Sequence, residues 1–146
     1  MSPSTSRRYL QAVGGLLIAL GIVHLAATPH IPDLLHGSPL VVYERVVGPT
    51  LLNHVLVGIL LVPLGFTTWL AAVASERGEL WALRILVTNT IVVFTLPLTI
   101  AAFMRRPEYY AAPLFITGIL LAFVLSLLMA LATISLVRKR WRSGRR

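Results

Sequence analysis

The chain has 146 residues, of which 57% are hydrophobic and 12% charged, and its mean hydropathy is +0.84. An average soluble domain gives about a quarter of its residues to charge, so a soluble enzyme and a disordered tail are excluded, and the absence of cysteine also excludes a disulfide scaffold, a thiolate metal site and a Cys nucleophile. At about 20 apolar residues per span the length suits one domain of roughly four transmembrane helices, in which a net charge of +8 marks sidedness before it marks a nucleic-acid partner.

The first apolar stretch runs from Leu10 to Thr28. Gly14, Leu17, Gly21 and His24 recur along it at helical spacing and share one face. Arg7 and Arg8 precede it and small residues end it, so a cleaved signal peptide is the rival reading. Against that stands Leu25, which occupies the position three before a cut after Ala27, where such sites prefer a small residue.

A longer connection, Pro29 to Pro49, follows. It carries four prolines, Gly37 and Gly48 around two short apolar pieces, Ile31–Leu35 and Leu40–Val47, and is expected as an outer loop. Pro32, with Asp33 beside it, suits the first turn of a short helix. The second stretch, Thr50 to Ala74, places His54, Gly58, Leu61, Gly65 and Thr68 on one face. Small residues in such a stripe let helices approach closely in lipid, so Gly14, Gly21, Gly58 and Gly65 are expected to pack. The two histidines on these stripes should then point inward and face each other at similar depth.

A tight turn at Ser75–Glu79, with Gly78, leads into the third stretch, Leu80 to Met104. Here Arg84, Thr88, Val92, Thr95 and Thr99 form a stripe, with Asn89 lying off it as a full amide in need of a partner near mid-membrane. Pro63 and Pro97 interrupt backbone bonding in the second and third spans, where kinks are expected. After a short turn with Arg105, Arg106, Pro107 and Glu108, the fourth stretch runs from Tyr110 to Val137, with Ala122, Ser126, Ala130 and Thr133 on one face. The chain ends in a basic tail, 138–146. The expected fold is therefore all-α: a polytopic membrane protein, a single antiparallel four-transmembrane-helix bundle with a longer first outer loop.

Ten of the thirteen basic residues fall on the side of the two termini: Arg7, Arg8, Arg77, Arg84, Arg138, Lys139, Arg140, Arg142, Arg145 and Arg146. Arg45, Arg105 and Arg106 fall on the other. The positive-inside rule then puts both termini in the cytoplasm, and the expected location is the cytoplasmic membrane of a bacterium or archaeon. Trp141 among Arg138, Lys139, Arg140 and Arg142 suits an interfacial segment that holds anionic lipid. No folded reading module surrounds these charges, so nucleic acid is not an expected partner.

All four histidines, His24, His30, His36 and His54, lie at or near the outer face. Neutral imidazole is a common ligand for haem iron, Zn and Cu, and two cofactor readings follow. In one, His24 and His54 are axial ligands of a b-type haem, with Arg105 and Arg106 available to its propionates. In the other, His30, Asp33, His36 and Glu44 of the loop join His24 or His54 around Zn or Cu. Beside both stands a plain structural role, in which these histidines bond to headgroups, water or a neighbouring helix.

There is no Walker loop, GxSxG, HExxH, CxxC or pair of intramembrane carboxylates, and independent catalysis is not expected. Three functions remain open on the sequence. The chain could be a haem- or metal-binding subunit of a redox or quinone-linked membrane assembly. It could be a non-catalytic accessory or assembly subunit, partnered by other membrane subunits or by its own copies. It could also be a small oligomeric transporter using histidine, since no acid lies deep within a span.

Overall fold

The computed structural model describes residues 3–35, 40–103 and 113–143, all helix apart from the turn at 77–79. Helix α1 spans Pro3–Ala27 and passes through a 3-10 turn at Thr28–His30 into a short α2, Ile31–Leu35. Then come α3, Leu40–Glu76, α4, Leu80–Phe103, and α5, Pro113–Ser143. Four of these helices are long and apolar enough to cross a membrane, along Ser4–Asp33, Glu44–Glu76, Leu80–Ile100 and Ile116–Arg142.

Two boundaries differ from the sequence expectation for one reason. The region expected as a loop up to Pro49 is helical from Leu40 onward, with Pro49 and Pro63 both inside α3. The basic segment Arg138–Arg142, expected as a tail beyond the fourth span, forms the last turns of α5. Backbone that continues as helix satisfies its own hydrogen bonds, and a single proline is tolerated when its freed carbonyl finds another donor. Neither Leu40–Val47 nor Val137–Ser143 contains a residue that forces a stop, so each helix runs on.

Pro97 shows how such a carbonyl is served. Proline has no N–H, so the carbonyl of Val93, four residues earlier, loses its intrahelical donor. The Ser126 hydroxyl of α5 lies 3.0 Å from that oxygen and 2.6 Å from the Ala122 carbonyl of its own helix, and its hydrogen can serve either. Ser126 is fully buried.

The turn between α3 and α4 is a Schellman motif. Gly78 N–H donates to Ser75 O at 3.1 Å and Glu79 N–H to Ala74 O at 3.5 Å, while Gly78 takes the positive φ of 75° that the motif requires. Its glycine has no Cβ to oppose that conformation.

The chain divides into two compact units, Gly14–Phe66 and Met1–Val13 with Thr67–Arg146. In the second, polar side chains join the helices. Asn89 Nδ2 donates to Thr67 Oγ1 at 3.0 Å and Thr68 Oγ1 at 2.9 Å, and Thr90 and Thr133 hydroxyls meet at 3.0 Å. Ser6, fully buried, donates to Ser135 at 3.4 Å. Leu10, Leu86, Leu125 and Met129 fill the apolar core of this unit.

The α4 stripe of Arg84, Thr88, Val92, Thr95 and Thr99, whose hydroxyl spacing suits contact with a neighbouring helix, faces outward. Thr95 and Thr99 bond to backbone carbonyls of their own helix, which removes the need for a neighbour. The inward face is Ala82, Leu86, Asn89 and Val93, because a buried amide needs a partner helix more than a back-bonded hydroxyl does.

Candidate functional site at a histidine pair

The unit Gly14–Phe66 is a seam between the latter part of α1 and the earlier part of α3. Gly14, Gly21, Gly58 and Gly65 are all buried along it, as are Leu17 and Leu61. Each pair of glycines on one helix is seven residues apart, about two helical turns, so both fall on the same face.

The helices touch backbone to backbone there. A Cβ placed on Gly65 would lie 2.5 Å from Gly14 O and 2.8 Å from Ile18 N. One on Gly21 would lie 2.9 Å from Gly58 O, and one on Gly58 would lie 3.0 Å from Gly21 O and 2.7 Å from Leu25 Cγ. Pairing runs Gly14 with Gly65 and Gly21 with Gly58, so the two helices run antiparallel along the seam.

One turn beyond Gly21 and one turn before Gly58, the same faces present His24 and His54. Their ring centroids are 4.6 Å apart with an interplanar angle of 81°, an edge-to-face contact, and both residues are half-buried. His24 Nδ1 lies 2.9 Å from Leu20 O. A carbonyl only accepts, so Nδ1 carries the hydrogen and Nε2 holds the lone pair. That is the arrangement by which a backbone carbonyl orients a ligating imidazole. The sequence singled out both histidines but not Leu20, although the carbonyl four residues before a helical histidine is within reach of its ring in rotamers that point back along the helix.

The other expected ligands are spread out. His30, Asp33 and Glu44 are exposed, and among the described residues no group of three or more His, Asp or Glu side chains is close enough to hold one ion. His36, Arg105 and Arg106 lie outside the described residues. Of the basic segment, Arg138, Lys139, Trp141 and Arg142 are exposed and Arg140 donates to Gly78 O.

The pair fits the two kinds of cofactor unequally. Axial haem ligands stand on opposite faces of the macrocycle, which lies between them. Here ring touches ring, and the glycine faces that would admit a flat group are filled by each other's backbone, so haem does not fit this closed seam. Two imidazoles on one tetrahedral ion, with bonds of about 2.0–2.1 Å, place their centroids about 5 Å apart; the observed separation of 4.6 Å is close to that.

No protein-family model, curated protein or solved structure matches the chain.

Proposed function

We propose that this chain is a small integral membrane subunit whose working site is the His24–His54 pair, receiving a Zn or Cu ion at the outer end of the glycine seam. The observation that carries the reading is the pairing itself: two imidazoles in contact, one with its tautomer set by Leu20 O, at the end of a close backbone contact. A pair supplies two nitrogens, and water or a residue of a partner subunit completes the shell. The basic end faces the cytoplasm in this reading, on the charge asymmetry of the sequence.

The test is metal content and metal titration of the full chain purified in mild detergent, with a visible spectrum recorded alongside. The reading expects one ion per chain, lost in both His24→Ala and His54→Ala while helical content stays unchanged. Equal metal uptake by wild type and both variants would overturn it, and a Soret band lost in both variants would put haem in its place.

A second reading is favoured by a different observation. Asn89, Thr90, Ser126 and Thr133 all bond to side chains or backbone of another helix, which is how membrane helices are held together. Such a chain suits a non-catalytic accessory subunit, and a metal-free protein that co-purifies in fixed stoichiometry with a membrane complex would favour it.

A further inference from the structure

The second unit brings three separate stretches of basic sequence to one place. Arg7 Nη1 lies 2.6 Å from Glu76 Oε2, tying the start of α1 to the end of α3. Arg140 donates to Gly78 O, tying the end of α5 to the α3–α4 turn. Ser6 to Ser135 ties α1 to α5 one turn away.

Both acids at this end are already engaged, Glu76 by Arg7 and Glu79 by the Trp81 indole N–H. Arg8, Arg77, Arg84, Arg138 and Arg142 are exposed, and among the described residues none has an acidic partner. Arg138 and Arg142 are one helical turn apart and share a side of α5. Trp81 and Trp141, 47% and 68% exposed, stand at the same end. Exposed tryptophans take the headgroup level of a bilayer, and guanidinium groups match phosphate oxygens with a two-pronged donor geometry.

We propose that this composite end, built from α1, the α3–α4 turn and α5, is a binding surface for the phosphate headgroups of anionic phospholipids. It is more than a basic tail. The helical continuation of α5 fixes Arg138 and Arg142 in register, and the Arg7–Glu76 and Arg140–Gly78 contacts hold the other segments beside them. Among the described residues these five exposed arginines have no acidic partner, and anionic lipid supplies the complement.

The experiment uses the full chain with Trp69→Phe, so that emission comes from Trp81 and Trp141, reconstituted in phosphatidylcholine vesicles. A small fixed fraction of brominated phosphatidylglycerol or, separately, of brominated phosphatidylcholine quenches the tryptophans in contact with it. The expected result is at least about fivefold enrichment of the anionic lipid over the neutral one, the scale set by one basic residue near the surface. Raising the salt should lower that enrichment. Replacing Arg77, Arg138 and Arg142 together by Gln should bring it down to the neutral level at unchanged helix content. Each single replacement gives a graded loss and serves as the readout should the triple variant fold poorly. Equal quenching by the two lipids in the unreplaced protein, or full enrichment retained in the triple and single variants, would overturn the proposal.

Discussion

Gly65→Ala is the sharpest probe of the seam that ends at the histidines. The added methyl would sit 2.5 Å from Gly14 O and 2.8 Å from both Ile18 N and Ile18 Cγ1, whereas unstrained heavy-atom contacts lie at about 3.5–4.0 Å. Two of those neighbours are backbone atoms, which cannot turn away as a side-chain end can, so the helices must part locally by about 1 Å. Overpacking of this kind costs about 1–3 kcal/mol, and the better helix propensity of alanine offsets at most about 1 kcal/mol. The expected net loss is about 1–2 kcal/mol. Gly58→Ala should lose less, because its shortest contacts are to the flexible end of Leu25 and its backbone contact is 3.0 Å. Gly118→Ala is the control: nothing lies within 4 Å of its added atom, and it should be neutral or slightly stabilising. Equilibrium unfolding in mixed detergent micelles, followed by circular dichroism, ranks the three. If Gly65→Ala proved as stable as Gly118→Ala, the seam would not be a backbone contact and the reasoning would fail.

Two other outcomes follow from the packing and one from the charge asymmetry. Ser126→Ala should destabilise by about 1–2 kcal/mol and do so much less in a Pro97→Ala background, where residue 97 regains an N–H for the Val93 carbonyl; equal costs in the two backgrounds would show that the Ser126 bond does not serve the proline break. Asn89→Ala, measured by the same unfolding assay, should cost about 0.6–1.7 kcal/mol, because Thr67 and Thr68 can fall back on carbonyls of their own helix; a loss of several times that would show that the hydroxyls do not fall back. A compartment-sensitive reporter fused after Arg146 should be active in the cytoplasmic form alone, and activity only outside the cytoplasm would reverse the orientation.

Much of the fold was legible because apolar length and small-residue spacing are what four helices long and apolar enough to cross a membrane require. The stripes Gly14–Leu17–Gly21–His24 and His54–Gly58–Leu61–Gly65 both face the seam, since a glycine face has value only where another backbone can reach it. The α4 stripe failed on the same logic carried too far. Threonine spacing alone does not separate a hydroxyl that needs a neighbour from one that bonds its own turn, as Thr95 and Thr99 do, and Asn89 was the better guide because an amide cannot close on itself so cheaply. The boundary at Pro49 misled because proline is a stop signal in water, where the freed carbonyl takes solvent. The Ser126–Val93 contact was readable in principle from Pro97, by counting back four residues, but which helix supplies the donor depends on tertiary packing.

The two units use different means of holding helices together, and the difference bears on what each can do. In Gly14–Phe66 main chain meets main chain at Gly14–Gly65 and Gly21–Gly58, with the side chains of Ile18, Leu25 and Val62 packed beside them, so the approach of α1 and α3 within that unit is set by hard contact. His24 and His54 hang one turn past the Gly21–Gly58 contact, and a fixed helix separation fixes the spacing of their Cα atoms. The ligand pair proposed above would need such a fixed spacing, because its ring positions must hold whether or not an ion is present. In the other unit the joints are hydroxyls and an amide, several of which have a second acceptor within reach, as Ser126 has in Ala122 O. A hydroxyl with a second acceptor on its own helix can give up the bond between helices without leaving its hydrogen unpaired.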